Sequence, residues 1–178
     1  MDRIDGEQLQ IEKDRGAAEV SRDVVVQVEV EIEDRIELLV LPLTGEIALV
    51  EVIRERLNVT EEFHLFERDH DEPFKHPGHG RKHVRVVAHR CQEVTLEVRY
   101  EHQIKHHHFR PSASVFRALQ WSVSKHAFNL DAMAAAKANL MLPGADAPLA
   151  RDDVLGKHVK PGHCTLVVDL TLKDFTNG

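Results

Sequence analysis

Apolar and polar residues alternate along two stretches of this chain. In the first, every second position over 24–32 is valine or isoleucine, and glutamine or glutamate fills most positions between them. In the second, valine, leucine and tyrosine alternate with polar residues over 94–100. A period of two is typical of a strand with one buried face. The pattern therefore predicts two half-buried strands.

A repeat connects these two stretches. Shifting the sequence against itself by 68 residues brings them into alignment, and in each copy a turn, a second strand, a proline and a helical pattern follow in the same order. A repeat of this length predicts two copies of one domain. The matched positions are Val26, Val28, Glu29, Val30, Ile32, Glu33 and Ile36 with Val94, Leu96, Glu97, Val98, Tyr100, Glu101 and Ile104.

The first copy continues with a partner strand over 36–41 and a helix over about 45–57, for which Thr44 is a candidate N-cap. A third strand is expected near 63–67 and a fourth over 84–88. Between these last two strands lies a polar loop rich in histidine, proline and glycine.

The second copy continues with a strand over 104–109 and a helix capped by Ser112 or Ser114. The alanine-rich stretch 131–138 extends or follows this helix, and a short strand then begins at Asn139. A helical turn near 152–156 and a final strand ending at Leu170 complete the copy. The residues expected on the buried face of the helix are Phe116, Leu119, Val123 and Ala127.

These elements divide the chain into four segments. Residues 1–21 contain six acidic and three basic residues with little apolar content, so we expect them to be disordered. Two domains follow over 22–91 and 92–172, and residues 173–178 form a flexible tail. Few residues separate the domains, so we expect them to lie close together.

Composition excludes several classes of partner. The net charge of −7 argues against binding of nucleic acid, which requires a basic face. No apolar run approaches the roughly 18 residues of a membrane span, and the N-terminus lacks the apolar core of a signal peptide. We therefore expect a cytoplasmic protein with no membrane partner. Cys91 and Cys164 lack metal-type spacing and are expected to be reduced thiols, with Cys164 buried as a small apolar residue.

The histidines do not predict a metal site. His106, His107 and His108 alternate across a strand, so they cannot all face one ion. In the polar loop, His76, His79 and His83 have loosely metal-like spacing without a cysteine or carboxylate cluster beside them. We expect no metal, no cofactor and no catalytic residue, and hence no enzyme. An enzyme built around the loop histidines is the weaker alternative.

The order of the elements is that of the β-grasp fold. It predicts an α+β protein with two tandem β-grasp (ubiquitin-like) domains, each a mixed sheet packed on one main helix. In the second copy, residues 139–144 resemble the third strand and turn of ubiquitin, and residues 148–149 and 153–159 resemble its next strand and short helical turn. Residues 162–170 resemble the final strand. The resemblance is close over 93–178 and weaker over 23–90.

Two such units in tandem, followed by a tail, are similar to the BilA family, the modifiers of a bacterial antiphage conjugation (Bil) system. The resemblance implies that an E1-like enzyme adenylates the C-terminal carboxylate and takes it as a thioester. It also implies an E2-like enzyme that delivers the modifier to a target, a phage tail protein in that family. A zinc-dependent peptidase would remove it.

On this resemblance, Gly178 supplies the reacting carboxylate, with Asn177 and Thr176 beside it. Glycine has no Cβ to obstruct the carbonyl. The eight residues from Thr171 onward would span about 26 Å at roughly 3.3 Å each. Asn177 and Phe175 depart from the ubiquitin tail, so either the partner enzymes differ from the eukaryotic ones or the tail is not conjugated. The tail residues expected to contact the E1, E2 or peptidase are Leu172, Lys173 and Phe175.

Strand parity also predicts an interaction surface. Met141, Val167 and Asp169 are expected on the outer face of the second sheet, and the first two match positions of the apolar docking patch of ubiquitin. We therefore expect a small E1 or peptidase contact there, although an ordinary partly buried methionine is equally compatible with the pattern. The alternative function is a non-conjugated β-grasp adaptor that binds a partner through its sheet faces.

Overall fold

The computed structural model of the protein describes residues 25–32, 35–42, 49–58, 63–75, 81–173 and 175. These residues form two mixed four-stranded sheets, each accompanied by a helix. The structure confirms the predicted α+β class with two tandem β-grasp units. The predictions for the segment 1–21, for Thr44 and for the first turn of the first helix lie outside the described residues.

In the first unit the strand order is β2-β1-β4-β3. Strand β1 pairs antiparallel with β2 and parallel with β4, and β4 pairs antiparallel with β3. This arrangement puts the two parallel strands in the centre of the sheet. The elements are β1 (Val25–Ile32), β2 (Arg35–Pro42), α1 (Leu49–Arg56), β3 (His64–Glu67) and β4 (His83–His89).

The core of the first unit follows from the alternation in β1. Val26, Val28 and Val30 have no exposed surface, and Ile53 of α1 is 1% exposed. Alternate residues of β1 therefore face the helix, while Gln27, Glu29 and Glu31 lie on the opposite face. Burying these valine side chains stabilises the unit by roughly 1.5–3 kcal/mol each.

The second unit has the matching order β6-β5-β8-β7, again with parallel central strands, β5 and β8. Its core contains Val94, Leu96 and Val98 of β5, each without exposed surface. The elements are β5 (Val94–Tyr100), β6 (Gln103–Phe109), α2 (Val115–Val123), α3 (Ala132–Lys137), β7 (Asn139–Met141), a 3₁₀ helix (Leu155–His158) and β8 (Thr165–Thr171).

The N-cap of α2 is Ser114, whose hydroxyl accepts a hydrogen bond of 3.2 Å from the N–H of Arg117. With the helix starting at Val115, the stripe facing the core consists of Val115, Ala118, Leu119 and Ser122. Phe116 is 45% exposed, so the prediction that it lies on the buried face was wrong. One residue along a helix is a rotation of about 100°, which turns Phe116 away from this stripe.

The alanine-rich stretch forms a helix of its own, α3, which begins after α2 has ended. Asp131 caps it by accepting a 2.9 Å hydrogen bond from the N–H of Ala134. None of its residues is buried. Because α3 has no equivalent among the described residues of the first unit, the 68-residue shift holds for the first two strands and increases beyond the helix.

The two units contact each other through a loop of the first unit and the start of α2. Asp69 Oδ1 accepts a 2.7 Å hydrogen bond from the N–H of Ser114, and the Asp69 N–H donates to the Ser112 carbonyl at 3.0 Å. Nearby, Arg117 Nη2 lies 2.8 Å from Asp71 Oδ2. The first unit therefore supplies acceptors to the N-terminus of a helix in the second, where unpaired N–H groups favour negative charge.

The segment between the units is held against the second unit. Cys91 N–H donates to His89 Nδ1 at 2.9 Å, and His89 Nε2 lies 3.1 Å from the Gly156 carbonyl. A backbone N–H can only donate, so Nδ1 is the acceptor and Nε2 carries the proton that it donates to Gly156. His89 is thereby held as the neutral Nε2–H tautomer.

The two cysteines form a disulfide, with their Cα atoms 5.7 Å apart. The prediction of two reduced thiols was wrong because the two cysteines are bonded to each other. Cys164 is exposed, so the prediction that it is buried was also wrong, whereas Cys91 is 5% exposed. Cys164 precedes β8, so the alternation that buries Leu166 does not extend to it. Parallel neighbours begin at the same end of a sheet, and this brings the residues before β5 and β8 together.

Candidate functional site

The chain leaves the second unit from a central strand. Strand β8 lies between β5 and β7 and pairs with both. It ends at Thr171, where Thr171 pairs with Asn139. The residues that follow therefore start from a strand that is fixed on both sides.

The first residues after β8 are also fastened. Leu172 packs against the core of the second unit, and the Lys173 carbonyl accepts a 3.2 Å hydrogen bond from Asn139 Nδ2. The Lys173 N–H donates to Thr171 Oγ1 at 3.3 Å. The expectation of a free tail from Thr171 is therefore corrected. The segment from Asp174 to Gly178 spans at most about 17 Å at roughly 3.3 Å per residue.

The predicted tail contacts fall into three environments. Leu172 is half-buried against the core, Lys173 is exposed and Phe175 is half-buried. Gly178, Asn177 and Thr176 lie outside the described residues. Their part in conjugation stays a prediction.

The outer face of the second sheet carries less apolar surface than predicted. Met141 pairs with Asp169, on the face turned away from the core, but it is only 9% exposed. Val167 is half-buried and pairs with Glu97 of β5. Met141 therefore offers little area to a partner, and Val167 and Asp169 are the accessible members of the predicted surface.

Charged groups occupy this face beside Val167. Arg99 Nε donates to Glu97 Oε1 at 2.8 Å, and His106 Nε2 lies 3.3 Å from Glu97 Oε2. The hydrogen bond from Arg99 is the main cause that lowers the pKa of Glu97, and His106 lowers it further. The outer face therefore carries a network of charged side chains around Val167 and is not an apolar patch.

The three consecutive histidines of β6 alternate between the two faces of the sheet, with His106 and His108 on one face and His107 on the other. His106 contacts Glu97, and His108 Nδ1 lies 3.1 Å from Glu93 Oε1. His107 stacks on Trp121 with ring centroids 4.8 Å apart, and desolvation there lowers the pKa of His107. They do not converge on one point.

A metal site is not found among the described residues, which contain no group of three or more His, Cys, Asp or Glu side chains able to hold an ion. Of the loop histidines, His83 lies 3.8 Å from Glu29, whereas His76 and His79 are outside the described part of the chain. Of the helices in the described ranges, none is long and apolar enough to cross a membrane.

One surface was missed by the sequence analysis. Ile36, Leu38 and Val40 of the edge strand β2 are 64%, 60% and 55% exposed. They pair with Glu31, Glu29 and Gln27, so they lie on the outer face of the first sheet. The signal was present in the sequence, because apolar residues occupy both parities of β2. We call these three residues the β2 row.

Comparison with known proteins identifies the second unit. Residues 95–173 match the family model of BilA ubiquitin-like domain 2. The match runs from the second residue of β5 to Lys173, whose carbonyl accepts a hydrogen bond from Asn139 of β7. A search of curated proteins found no match. The matched stretch thus coincides with the second β-grasp unit and stops before Asp174.

Proposed function

Because the chain is a BilA-like ubiquitin-like protein, we propose that it is a protein modifier whose C-terminal carboxylate, at Gly178, becomes joined to other proteins. In this proposal an E1-like enzyme activates the carboxylate and an E2-like enzyme transfers it to a target. A zinc-dependent peptidase reverses the attachment. The modifier acts in the bacterial cytoplasm as part of antiphage defence, with a phage structural protein as its target, and it is not itself an enzyme.

The observation that carries the proposal is the exit of the tail. Strand β8 is paired on both sides, and the Asn139 amide fastens the chain as far as Lys173. A fixed base lets a partner enzyme recognise the second unit and receive the tail from a defined direction. The remaining residues, Asp174 to Gly178, can then enter a site up to about 17 Å from the base.

The chemistry requires nothing from the modifier except its carboxylate. The carboxylate oxygen attacks the α-phosphate of ATP, forming an acyl adenylate and releasing pyrophosphate. A cysteine thiolate of the E1 then displaces AMP, and a second thiolate and finally an amine of the target take the acyl group in turn. Gly178 leaves the carbonyl open to each attack because it lacks a Cβ.

The side chains near the tail set the demands on the partner. Phe175 and Asn177 are bulkier than glycine, so the proposal requires an enzyme channel wide enough for both. Lys173 is exposed and is assigned a direct contact, whereas Leu172 serves mainly to anchor the base. On the sheet, the contact is assigned to Val167 and Asp169, because Met141 is nearly covered.

The proposal is tested by incubating the protein with its E1-like enzyme, ATP and target-containing lysate. We expect a thiol-sensitive adduct on the E1 and, by mass spectrometry, an isopeptide bond that ends in Gly178. Deletion of Gly178 should abolish both. A control variant, Lys125→Gln, removes one charge from an exposed residue of the turn that follows α2 and should leave adduct formation unchanged. Absence of any adduct with the intact protein would refute the proposal.

The β2 row favours a second candidate, an adaptor that binds a partner without being conjugated. Three exposed apolar side chains on one edge strand are typical of a surface that another protein covers. The two candidates differ in their response to loss of Gly178. An adaptor retains its function when Gly178 is deleted and loses it when Leu38 is replaced by aspartate. A modifier loses its function when Gly178 is deleted, whatever the effect of the Leu38 replacement.

A further inference from the structure

A cleft opens where the two units meet, and the disulfide lies in its wall. Its volume is about 440 Å³, within the range of small-molecule sites. Both cysteines line it, together with residues from the end of β4 and from the segment that precedes β8. None of the described residues that line the cleft belongs to the tail or to the outer sheet face, and the proposed conjugation does not use them.

The lining of the cleft is basic in a protein that is acidic. Arg90, Lys157 and Lys160 line it, and so does His163, while none of the described residues lining it is acidic. Lys157 forms an ion pair with Asp153 at 2.8 Å, whereas Lys160 is exposed. The whole chain carries a net charge of −7, so this concentration of cationic side chains is a local exception. It favours an anionic occupant.

The two cysteines differ in exposure. Cys91 is 5% exposed and belongs to the core of the second unit, whereas Cys164 is exposed at the cleft. Cys91 Sγ also lies 3.2 Å from the His163 carbonyl oxygen, which can accept a hydrogen bond from a thiol at that position. An attacking thiolate can therefore approach Cys164 more readily than Cys91, and the thiol formed on Cys91 can donate to the His163 carbonyl.

From these observations we propose that the cleft binds a small thiol carrying carboxylates, which exchanges with the Cys91–Cys164 disulfide. The thiolate of the small thiol attacks Cys164 Sγ, forming a mixed disulfide and releasing Cys91 as a thiolate, which takes up the proton lost by the incoming thiol. A second molecule of the same thiol then attacks the sulfur of the first molecule in the mixed disulfide and releases Cys164. Two small thiols thus become one disulfide, and the two electrons and two protons pass to Cys91 and Cys164.

The cationic side chains assist both stages. They raise the local concentration of an anionic thiol, and they stabilise thiolate over thiol. Intracellular disulfides of this exposed kind are usually transient or redox-sensing. The bond is therefore a modification site that reports the ratio of small thiol to its disulfide, and its opening releases the segment between the units from the start of β8.

The experiment measures the rate of disulfide opening in the full chain with three thiols, compared at equal thiolate concentration. Glutathione is the anionic probe, 2-mercaptoethanol the neutral one and cysteamine the cationic one. Rates are divided by those on an uncharged small disulfide, because intrinsic thiol reactivity varies with pKa. We expect the normalised rate with glutathione to exceed that with 2-mercaptoethanol by about fivefold for each cationic side chain that acts on the thiol at low salt. In 0.5 M NaCl the preference should largely vanish.

Matched variants identify the source of the preference. Lys160→Gln should lower the glutathione rate by about fivefold and should lower the rate with 2-mercaptoethanol, whose thiolate carries a single negative charge, by clearly less. Lys125→Gln, outside the cleft, should change neither. Trapped intermediates should carry glutathione on Cys164. Equal normalised rates for the three thiols, glutathione found on Cys91, or two free thiols persisting after mild oxidation would each overturn the proposal.

Discussion

The carboxylate of Asp69 in the first unit accepts a 2.7 Å hydrogen bond from the backbone N–H of Ser114, the residue that caps α2 in the second unit. The Ser114 side chain is used within its own helix, where it accepts from Arg117 N–H. One N-terminal group of α2 is therefore satisfied locally and another by the neighbouring unit. The two β-grasp units are thus joined by a shared helix terminus as well as by the intervening chain.

Removal of the Asp69 acceptor should loosen this contact. Asp69 has a positive φ of 58°, so Asp69→Gly keeps the backbone conformation accessible, and Asp69→Asn keeps both the conformation and an acceptor oxygen. We expect Asp69→Gly to remove a hydrogen bond that contributes about 1 kcal/mol, partly offset by the preference of glycine for positive φ, and to expose the Ser114 amide to hydrogen exchange. Asp69→Asn should preserve the protection. Equal protection of Ser114 in both variants would contradict the assignment.

The Asp71–Arg117 pair should make stability depend on pH at acid values. The hydrogen bond from Arg117 is the first cause that lowers the pKa of Asp71. A lowered folded-state pKa means that the contribution is present above the unfolded value and is lost as the pH falls through the folded one. Because Asp71 is 62% exposed, screening limits the contribution to less than about 1 kcal/mol.

Urea unfolding of Asp71→Asn from pH 7 to pH 2.5 tests this dependence. The difference in unfolding free energy from wild type should be largest near neutral pH and should approach zero at the acid end. Glu72→Gln removes one charge from the adjacent exposed residue and serves as the matched control. A difference that grows on acidification would have the wrong sign.

The Asn139 amide should determine how far the chain beyond β8 is protected from amide exchange. Its Nδ2 donates to the Lys173 carbonyl at 3.2 Å and to the Lys137 carbonyl at 3.1 Å. Asn139→Asp keeps the size of the side chain but removes the donor. We expect faster amide exchange at Lys173 and Asp174, with Leu170 in β8 unchanged. If exchange in this region is the same in both proteins, Asn139 does not hold the tail.

Gly156 should be required for the close approach of the two units. A Cβ on this residue would lie 2.9 Å from His89 Cδ2, 3.0 Å from Pro111 Cβ and 3.1 Å from the Pro111 carbonyl oxygen. Gly156→Ala should therefore destabilise the protein by about 1–3 kcal/mol and shift the His89 imidazole resonances.

Gly144→Ala is the comparison for this effect. Gly144 has a φ of +77° and open space around its Cβ position, so alanine there strains only the local backbone. This variant should lose about 1 kcal/mol of stability without changing the His89 resonances. A His89 shift of equal size in both variants would refute a specific contact at Gly156.

The regular elements were predictable because their signal is local. Burial of one sheet face imposes a period of two, and Val26, Val28 and Val30 show it without reference to the rest of the chain. The repeat then identified the corresponding strand β5. Phe116 was misassigned because the phase of a helix depends on the residue at which it starts, and the sequence does not choose between Ser112 and Ser114 as the N-cap.

The contacts between elements were not predictable from local pattern. The Asp69–Ser114 hydrogen bond depends on how two units pack, and neither residue has a spacing that indicates it. The disulfide, in contrast, could have been predicted from the β-grasp topology. Once β5 and β8 are taken as parallel neighbours, Cys91 and Cys164 fall at the same end of the sheet. Their proximity there predicts a disulfide in place of two isolated thiols.

The position of the disulfide also decides how the molecule bears mechanical load. Tension between the first unit and the tail enters the second unit at Cys91 and leaves it at the end of β8. When the disulfide is closed, the load passes from Cys91 to Cys164 and along Thr165–Thr171, so residues 92–163 form a loop outside the force path. Because β8 is already extended, pulling it gains little length. Opening the disulfide transfers the load to the hydrogen bonds between β5 and β8, which are sheared together.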